Sequence, residues 1–479
     1  MFINDPLIFT CNDCNKEFSF TIRLKHLCNE CGGILWFKPN ISNYKKELFQ
    51  KRKFSKFWDY YFTFPQIEKD FIVTLGEGGT PLRASKKLGA RLGVKNLFFK
   101  DETQNPTSSF KDRAAALLIS HARSLDYHKV VCASNGNQGA SIAAYTSLEG
   151  MECVNIIPED IDVGKRAQMI AYNSKIIIDG QTVDDALKDA LSPKYDKYYQ
   201  CTPEYNPLTI EAQKTIAYEI LEQIEKPEWI IVPMGSGGLL ISLWKAFLDL
   251  KEVGIIQEIP RLVGVQSQMS SPIVNKYDQV EDNIKNTKEI IKSHALGVLV
   301  KNPVYLDIAI KAIKDTKGVA LAIPENLIIS SSEDLARNEG IFAEPASALT
   351  IAALNSLIQR EEITPNDNIA CIITGSGLKT PHVLEALSTR AKTAGPGGIL
   401  STKLKILSQI SLSDKKGIHG SRLKEIIGSI SLPAIYQHLK ELESKNLILR
   451  KKEGKNVFYS ITEKGKKVLD ALDILITLL

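Results

Sequence analysis

The segment Asn105-Pro106-Thr107-Ser108-Ser109-Phe110-Lys111-Asp112-Arg113 places one lysine directly before an apolar run, Ala114 to Ile119, that reads as a helix. A charge at the mouth of an apolar core is costly unless it is bonded to something. A lysine amine forms Schiff bases with carbonyls and is nucleophilic when unprotonated. A second candidate is Gly235-Ser236-Gly237-Gly238, where the apolar stretch Trp229-Ile230-Ile231-Val232 runs into glycines and then a helical pattern from Leu239. Such glycines let backbone N–H groups converge on a phosphate, and the helix N-terminus favours the anion. A third is the pair of knuckles Cys11-x2-Cys14 and Cys28-x2-Cys31, 13 residues apart and followed by Gly32-Gly33. Four thiols so spaced fit one tetrahedral, structural Zn2+, which keeps no open position for catalysis.

These residues need a scaffold to bring them together. Short β-branched runs at Lys129-Val130-Val131-Cys132, Cys153-Val154-Asn155-Ile156-Ile157, Trp229–Val232 and Asn368–Ile373 alternate with helical patterns. That alternation predicts βα units and a largely parallel sheet. Glycine-rich loops follow several of the runs, where open α/β sheets place their ligands. The expected organisation is a four-cysteine zinc-ribbon-like segment at 1–40, an α/β catalytic region at 41–390, a linker at 391–400 and a compact helical unit with one hairpin at 401–479.

The chain has 479 residues, 44% apolar and 24% charged, as in soluble globular proteins. No apolar run is long enough to span a bilayer, and the N-terminus lacks an export signal, so a cytoplasmic protein without membrane contact is expected. Cys132, Cys153, Cys201 and Cys371 are scattered and read as reduced core residues. The charge is uneven. Residues 401–479 carry 15 Lys/Arg against 8 Asp/Glu, while the preceding 400 residues carry 45 against 47. A polyanionic partner is therefore expected for the tail alone.

The nonapeptide around Lys111 resembles the cofactor-lysine motif of threonine synthases, members of the tryptophan-synthase-β-like (fold-type II) pyridoxal 5'-phosphate (PLP) enzymes. The resemblance implies a two-lobed α/β fold with parallel-type sheets and PLP on Lys111. It implies a PLP-phosphate loop at Gly235, Ser236, Gly237 and Gly238. Thr374-Gly375-Ser376-Gly377-Leu378-Lys379 resembles a segment whose threonine, here Thr374, faces the pyridine nitrogen. Ser134-Asn135-Gly136-Asn137 resembles a loop in which Ser134, Asn135 and Gly136 bind the carboxylate of a small amino-acid substrate and Asn137 contacts the phenolic oxygen. Leu75–Leu82, Gln213-Lys214-Thr215 and Phe342–Ala348 extend the match, as does the four-cysteine knuckle. The implied reaction converts O-phospho-L-homoserine and water to L-threonine and phosphate. Departures lie where that substrate should be held. Asn135 stands for a threonine, Thr209 for a phosphate-reading arginine, Leu239 for an asparagine and Ser108 for a glycine. Lys165 or Arg166 remains as a compensating cation or as a solvated helix charge. The alternatives are β-elimination or β-replacement, as in serine/threonine dehydratases or cysteate synthase, or a transcription regulator with a PLP domain.

The tail reads as helices at Leu404 to Ile410, Arg422 to Ile427 and Leu432 to Lys445, the last following Ser431 as N-cap. The spacing of Tyr436, Leu439 and Leu442 predicts its core face. Leu447 to Ser460 reads as a hairpin with a basic tip. The stretch resembles winged helix-turn-helix regulators of the PadR and MarR kind. That implies double-stranded DNA as a partner, with Gln437, His438 and Lys440 toward the major groove and Lys451, Lys452 and Lys455 on phosphates. The apolar end, Leu469 to Leu479, predicts a helix against a second copy and hence a homodimer.

Overall fold

The computed structural model describes residues 8–11, 13–19, 28–37, 56–280, 293–380, 396–413, 417–427, 431–454 and 456–469. Contacts divide the chain into two compact units, Met1–Leu384 and Glu385–Leu479.

The first unit is built on two parallel sheets. The larger has the order Val319–Ile323, Arg261–Ser267, Trp229–Pro233, Asn368–Ile373, Asn96–Asp101 and Leu82–Ala84. All its neighbours are parallel except the Leu82–Ala84 edge strand. The smaller is fully parallel, in the order Lys175–Ile178, Glu152–Ile157, Lys129–Ala133 and Tyr199–Gln200. Ile369 to Ile373 are completely buried, as expected for a strand covered on both faces. The run after Lys111 is the helix Lys111–Ser124, whose residues Asp112 to Ala122 are all buried. Its apolar run, Ala114 to Ile119, is fully buried, and Arg113 is buried with carboxylate partners.

The knuckle forms a three-stranded antiparallel sheet of Glu17–Ser19, Ile8–Cys11 and Leu35–Phe37. It docks on the helix Gly238–Glu252. Trp36 packs edge-on to Trp244 at 5.5 Å, and Lys245 donates to the Phe37 carbonyl at 2.6 Å. Lys245 also pairs with Glu211 of the helix Leu208–Gln213. Burial pushes the Lys245 amine down to about 8.

The second unit has helices Pro396–Ser411, Gly420–Ile427 and Leu432–Ser444, with a sheet ordered Ile418–His419, Asn456–Ile461, Ile448–Glu453. The first helix begins inside the expected linker. Proline is tolerated in a first turn because its missing N–H would have no helical partner there. Ser431 caps the third helix, accepting from the Ala434 N–H at 3.4 Å. Its core face is Ile435, Leu439 and Leu442, while Tyr436 is 39% exposed. Spacings of four and three follow the 3.6-residue turn better than two steps of three, so Ile435 takes the inward position. Gln437, Lys440, Lys451 and Lys452 are exposed and His438 is half-buried. Lys455 and the stretch after Leu469 lie outside the described residues. No helix among the described residues is long and apolar enough to cross a membrane.

Candidate active site

Lys111 is the first residue of its helix, and the loop before it is pinned from several sides. The Phe110 N–H donates to the Thr374 carbonyl at 3.0 Å, and the Ser376 N–H to the Ser108 carbonyl at 3.0 Å. Ser108 has φ +61°, the left-handed region that favours glycine. Thr107 donates through its N–H and its hydroxyl to Asp112, each at 2.6 Å. Burial lifts the Asp112 carboxyl to about 6 against those bonds. Lys379 donates to the Thr107 carbonyl at 2.7 Å, and burial pushes its amine down to about 8.

Below the loop, Arg113 is fully buried between two carboxylates. It bonds Glu102 through Nε and Nη2, each at 2.8 Å, and Glu219 at 2.5 and 2.8 Å. Lys100 pairs with Glu219 at 2.7 Å. Forked, charge-assisted bonds of this kind fix direction as well as distance.

The Lys111 side chain is half-buried and lines a cavity of ≈ 110 Å³. Its amine lies 4.8 Å from the Phe110 ring. Loss of hydration lowers its pKa, with Glu204 and Glu344 acting in the opposite direction. A lowered pKa enlarges the neutral fraction that imine chemistry needs.

Gly235 to Gly238 line the same cavity at the N-terminus of the helix Gly238–Glu252. Gly237 has φ +95°, and a Cβ at Gly238 would lie 3.4 Å from the Tyr305 ring. Ser236 turns its hydroxyl to Glu204, donating at 2.8 Å. On another wall, Glu344 joins Asn137 and Thr374. It accepts from Asn137 Nδ2 at 3.0 and 3.2 Å and from the Thr374 hydroxyl at 3.1 Å. Ser134 and Asn135 also line the cavity. The Ser134 hydroxyl accepts from the Gly136 and Gly139 N–H groups at 3.0 and 3.1 Å. Asn135 donates to the Leu296 carbonyl at 3.1 Å. Gly136 has φ +135°, and a Cβ there would run into the Lys165 side chain.

Of the residues singled out around Lys111, the cavity gathers Lys111, Ser134, Asn135, Asn137, Gly235 to Gly238 and Thr374. Thr209 and Leu239 are there too. Lys165 is not a solvated charge: it is buried and paired with Asp162 at 2.7 Å and Glu344 at 3.3 Å. Arg166 is exposed. Sequence reasoning missed Glu204 and Glu344. Glu344 sits in the quoted Phe342–Ala348 segment, while Glu204 belongs to no motif. The four knuckle sulfurs lie within 4.8 Å of one another, a grouping that can hold a metal ion. The Glu30 and Gly33 N–H groups each donate to a cysteine sulfur at 3.4 Å.

Residues 73–375 match the family model described as pyridoxal-phosphate dependent enzyme. The chain belongs to the pyridoxal-phosphate dependent enzymes. Two similar members of this family are threonine synthases. That of Methanocaldococcus jannaschii is 37% identical over 381 residues, covering 78% of this chain and 92% of the relative. That of Methanosarcina acetivorans is 32% identical over 378 residues, with the same coverage. Maize serine racemase shares the fold, with TM-score 0.54 and 20% identity over 65% of this chain and 92% of that one. With these relatives, the chain is a PLP-dependent lyase similar to threonine synthases. Residues 399–478 match the HxlR-like helix-turn-helix model. It falls in the winged helix-turn-helix class read from the sequence, although the kinds named there were PadR and MarR.

The cavity fits the family's cofactor. It holds a lysine of lowered pKa and a glycine turn at a helix N-terminus. It also holds the buried Asn137 Oδ1, which has no hydrogen-bond partner among the described residues.

Proposed function

We propose that the chain performs carbon–oxygen lyase chemistry on a small α-amino acid, with PLP held by Lys111. The observation that carries this is the convergence of Lys111, the Gly235–Gly238 turn, Asn137 and Thr374 on one cavity. In this reading Gly235, Ser236, Gly237 and Gly238 hold the cofactor phosphate, Asn137 the phenolic oxygen and Thr374 the pyridine nitrogen. Bound there, PLP supplies an electron sink for the negative charge left when protons leave carbon. The loop Ser134, Asn135 and Gly136 binds the substrate carboxylate. The Lys111 amine takes the α-proton and returns protons to the substrate.

The threonine synthase relatives support O-phospho-L-homoserine as substrate, giving L-threonine and phosphate. A second reading is dehydration of serine or threonine, or a β-replacement. It is favoured by Thr209 and Leu239, which line the cavity at positions where threonine synthases have arginine and asparagine. Incubating the holoenzyme with each substrate separates them. Phosphate with threonine supports the first, and 2-oxo acid with ammonia supports the second. A lasting cofactor absorbance with no turnover of any of them contradicts the lyase reading and favours a ligand-sensing regulator.

The knuckle in this reading holds one structural Zn2+ on Cys11, Cys14, Cys28 and Cys31, checked by metal analysis of the purified chain. The tail binds double-stranded DNA through Gln437, His438, Lys440, Lys451, Lys452 and Lys455, and the chain acts as a cytoplasmic homodimer.

A further inference from the structure

We propose that Lys245 and Glu211 are positioning residues through which the four-cysteine knuckle holds the cofactor-phosphate turn in place, so that loosening the knuckle weakens cofactor binding from outside the cavity. The proposal rests on the reading in which Gly235 to Gly238 hold the cofactor phosphate.

The turn opens the helix Gly238–Glu252. Residues 242, 245 and 249 of that helix share one face, and each meets the chain between Leu208 and Lys214. Nearest the turn, the Ser242 hydroxyl donates to the Gly238 carbonyl at 2.8 Å and stands 3.4 Å from Gln213 Oε1. One helical turn further on, Lys245 pairs with Glu211. Beyond it, Asp249 pairs with Lys214 at 2.9 Å, and Lys214 returns to Glu211 at 2.8 Å. Gly238 and Gln213, at the near end of these links, both line the cavity.

The middle link is the one the knuckle shares. Lys245 donates to the Phe37 carbonyl at 2.6 Å, and its amine lies 5.4 Å from the Trp36 ring. The Lys245 and Glu211 side chains are 2% and 1% exposed, so water does not stand in for a lost partner. A buried ion pair holds its geometry only while its remaining hydrogen bonds are satisfied. Withdrawing the Phe37 carbonyl therefore leaves the ammonium one acceptor short and shifts the pair. Lys245 is seven residues from Gly238, about 10 Å along the helix, and a close-packed interior passes strain on instead of absorbing it. Among the described residues the cavity lining begins at Phe110. An effect of the knuckle on the cofactor thus travels through packed side chains and not by contact.

Equilibrium dialysis of the full-length chain against graded PLP gives the cofactor dissociation constant, with bound cofactor read from its absorbance and no turnover required. Trp36→Ala and Glu211→Gln are each expected to raise that constant roughly 10-fold or more, about 1.4 kcal/mol. Both act through Lys245, so the combined variant should bind no more than about twofold more weakly than the worse single one. Lys245→Met tests the same link from the helix side and carries the experiment if Trp36→Ala does not fold. Leu335→Ala, in a helix that lends no residue to the lining, measures general loss of packing and should leave the constant unchanged. Wild-type affinity in Lys245→Met, additive losses in the combined variant, or an equal loss in Leu335→Ala overturns the proposal and leaves the lyase reading intact. A wild-type chain that takes up no cofactor overturns the lyase reading, and this proposal with it.

Discussion

The cavity has a proposed cofactor end, which keeps the residues of the threonine synthase resemblance, and a proposed side-chain end, which departs from them. At the proposed cofactor end, Lys111, the glycine turn, Asn137 and Thr374 line one cavity. At the proposed side-chain end, Thr209 and Leu239 line the cavity where the resemblance expects an arginine and an asparagine. The cofactor end is held by fully buried, multiply bonded elements, Arg113 and Glu219 among them. The side-chain end is a wall of single side chains. A change in the first costs folding and cofactor together, whereas a change in the second alters only what is bound. One scaffold can thus keep its reaction type while its substrate drifts.

The largest expected effect is on the cofactor end. Lys111→Ala should lower turnover by about 1000-fold or more and remove the absorbance of lysine-bound cofactor. Substitutions at Thr209 should instead leave that absorbance in place, and loss of the band there would erase the distinction between the two ends.

Next is Glu219→Ala, which leaves Arg113 and Lys100 buried without a shared carboxylate. Breaking such a pair from one side costs about 3–5 kcal/mol, measured in the urea transition followed by cofactor absorbance. An unchanged midpoint would mean that the network does not hold the Lys111 helix.

A pH series sharpens the same point. His121, buried in the Lys111 helix with Nδ1 2.7 Å from the Tyr199 hydroxyl, is pushed down to about 4 by burial, from 6.5. Above 6.5 both folded and unfolded forms are neutral and the stability is fully present. As pH falls from 6.5 toward 4 only the unfolded chain gains the proton, so stability declines by up to about 3 kcal/mol. His121→Phe should flatten this part of the profile.

The smallest effect is in the tail. Lys451→Ala or Lys452→Ala should each lower the salt slope of DNA binding by about 0.9 and leave lyase turnover unchanged. A change in turnover would tie the two units together functionally.

Much of this was legible locally. Lys111, the glycine turn, Thr374 and the knuckle cysteines each sit in a short segment whose residue types carry their own chemistry. Strand runs such as Asn368–Ile373 were legible because parallel strands buried on both faces are apolar throughout. Glu204 and Glu344 were not. Their partners come from distant sequence, Glu204 with Ser236 across 32 positions and Glu344 with Asn137 across 207. Only the folded first unit brings them together. Lys165 was open between two readings because an amphipathic helix does not say which of two adjacent cations faces inward. In the tail the choice of Tyr436 over Ile435 for the core face failed by one position, since several registers of a short apolar helix look alike until the neighbouring helix is in place.

The lysine that carries the cofactor decides the chemistry of the cavity. Borohydride reduction of the holoenzyme followed by peptide mass mapping fixes a phosphopyridoxyl group on whichever lysine carries it. The expected result is a single adduct on Lys111, absent from Lys111→Ala. An adduct on Lys165 or Lys379, or none on the wild-type chain, would contradict it.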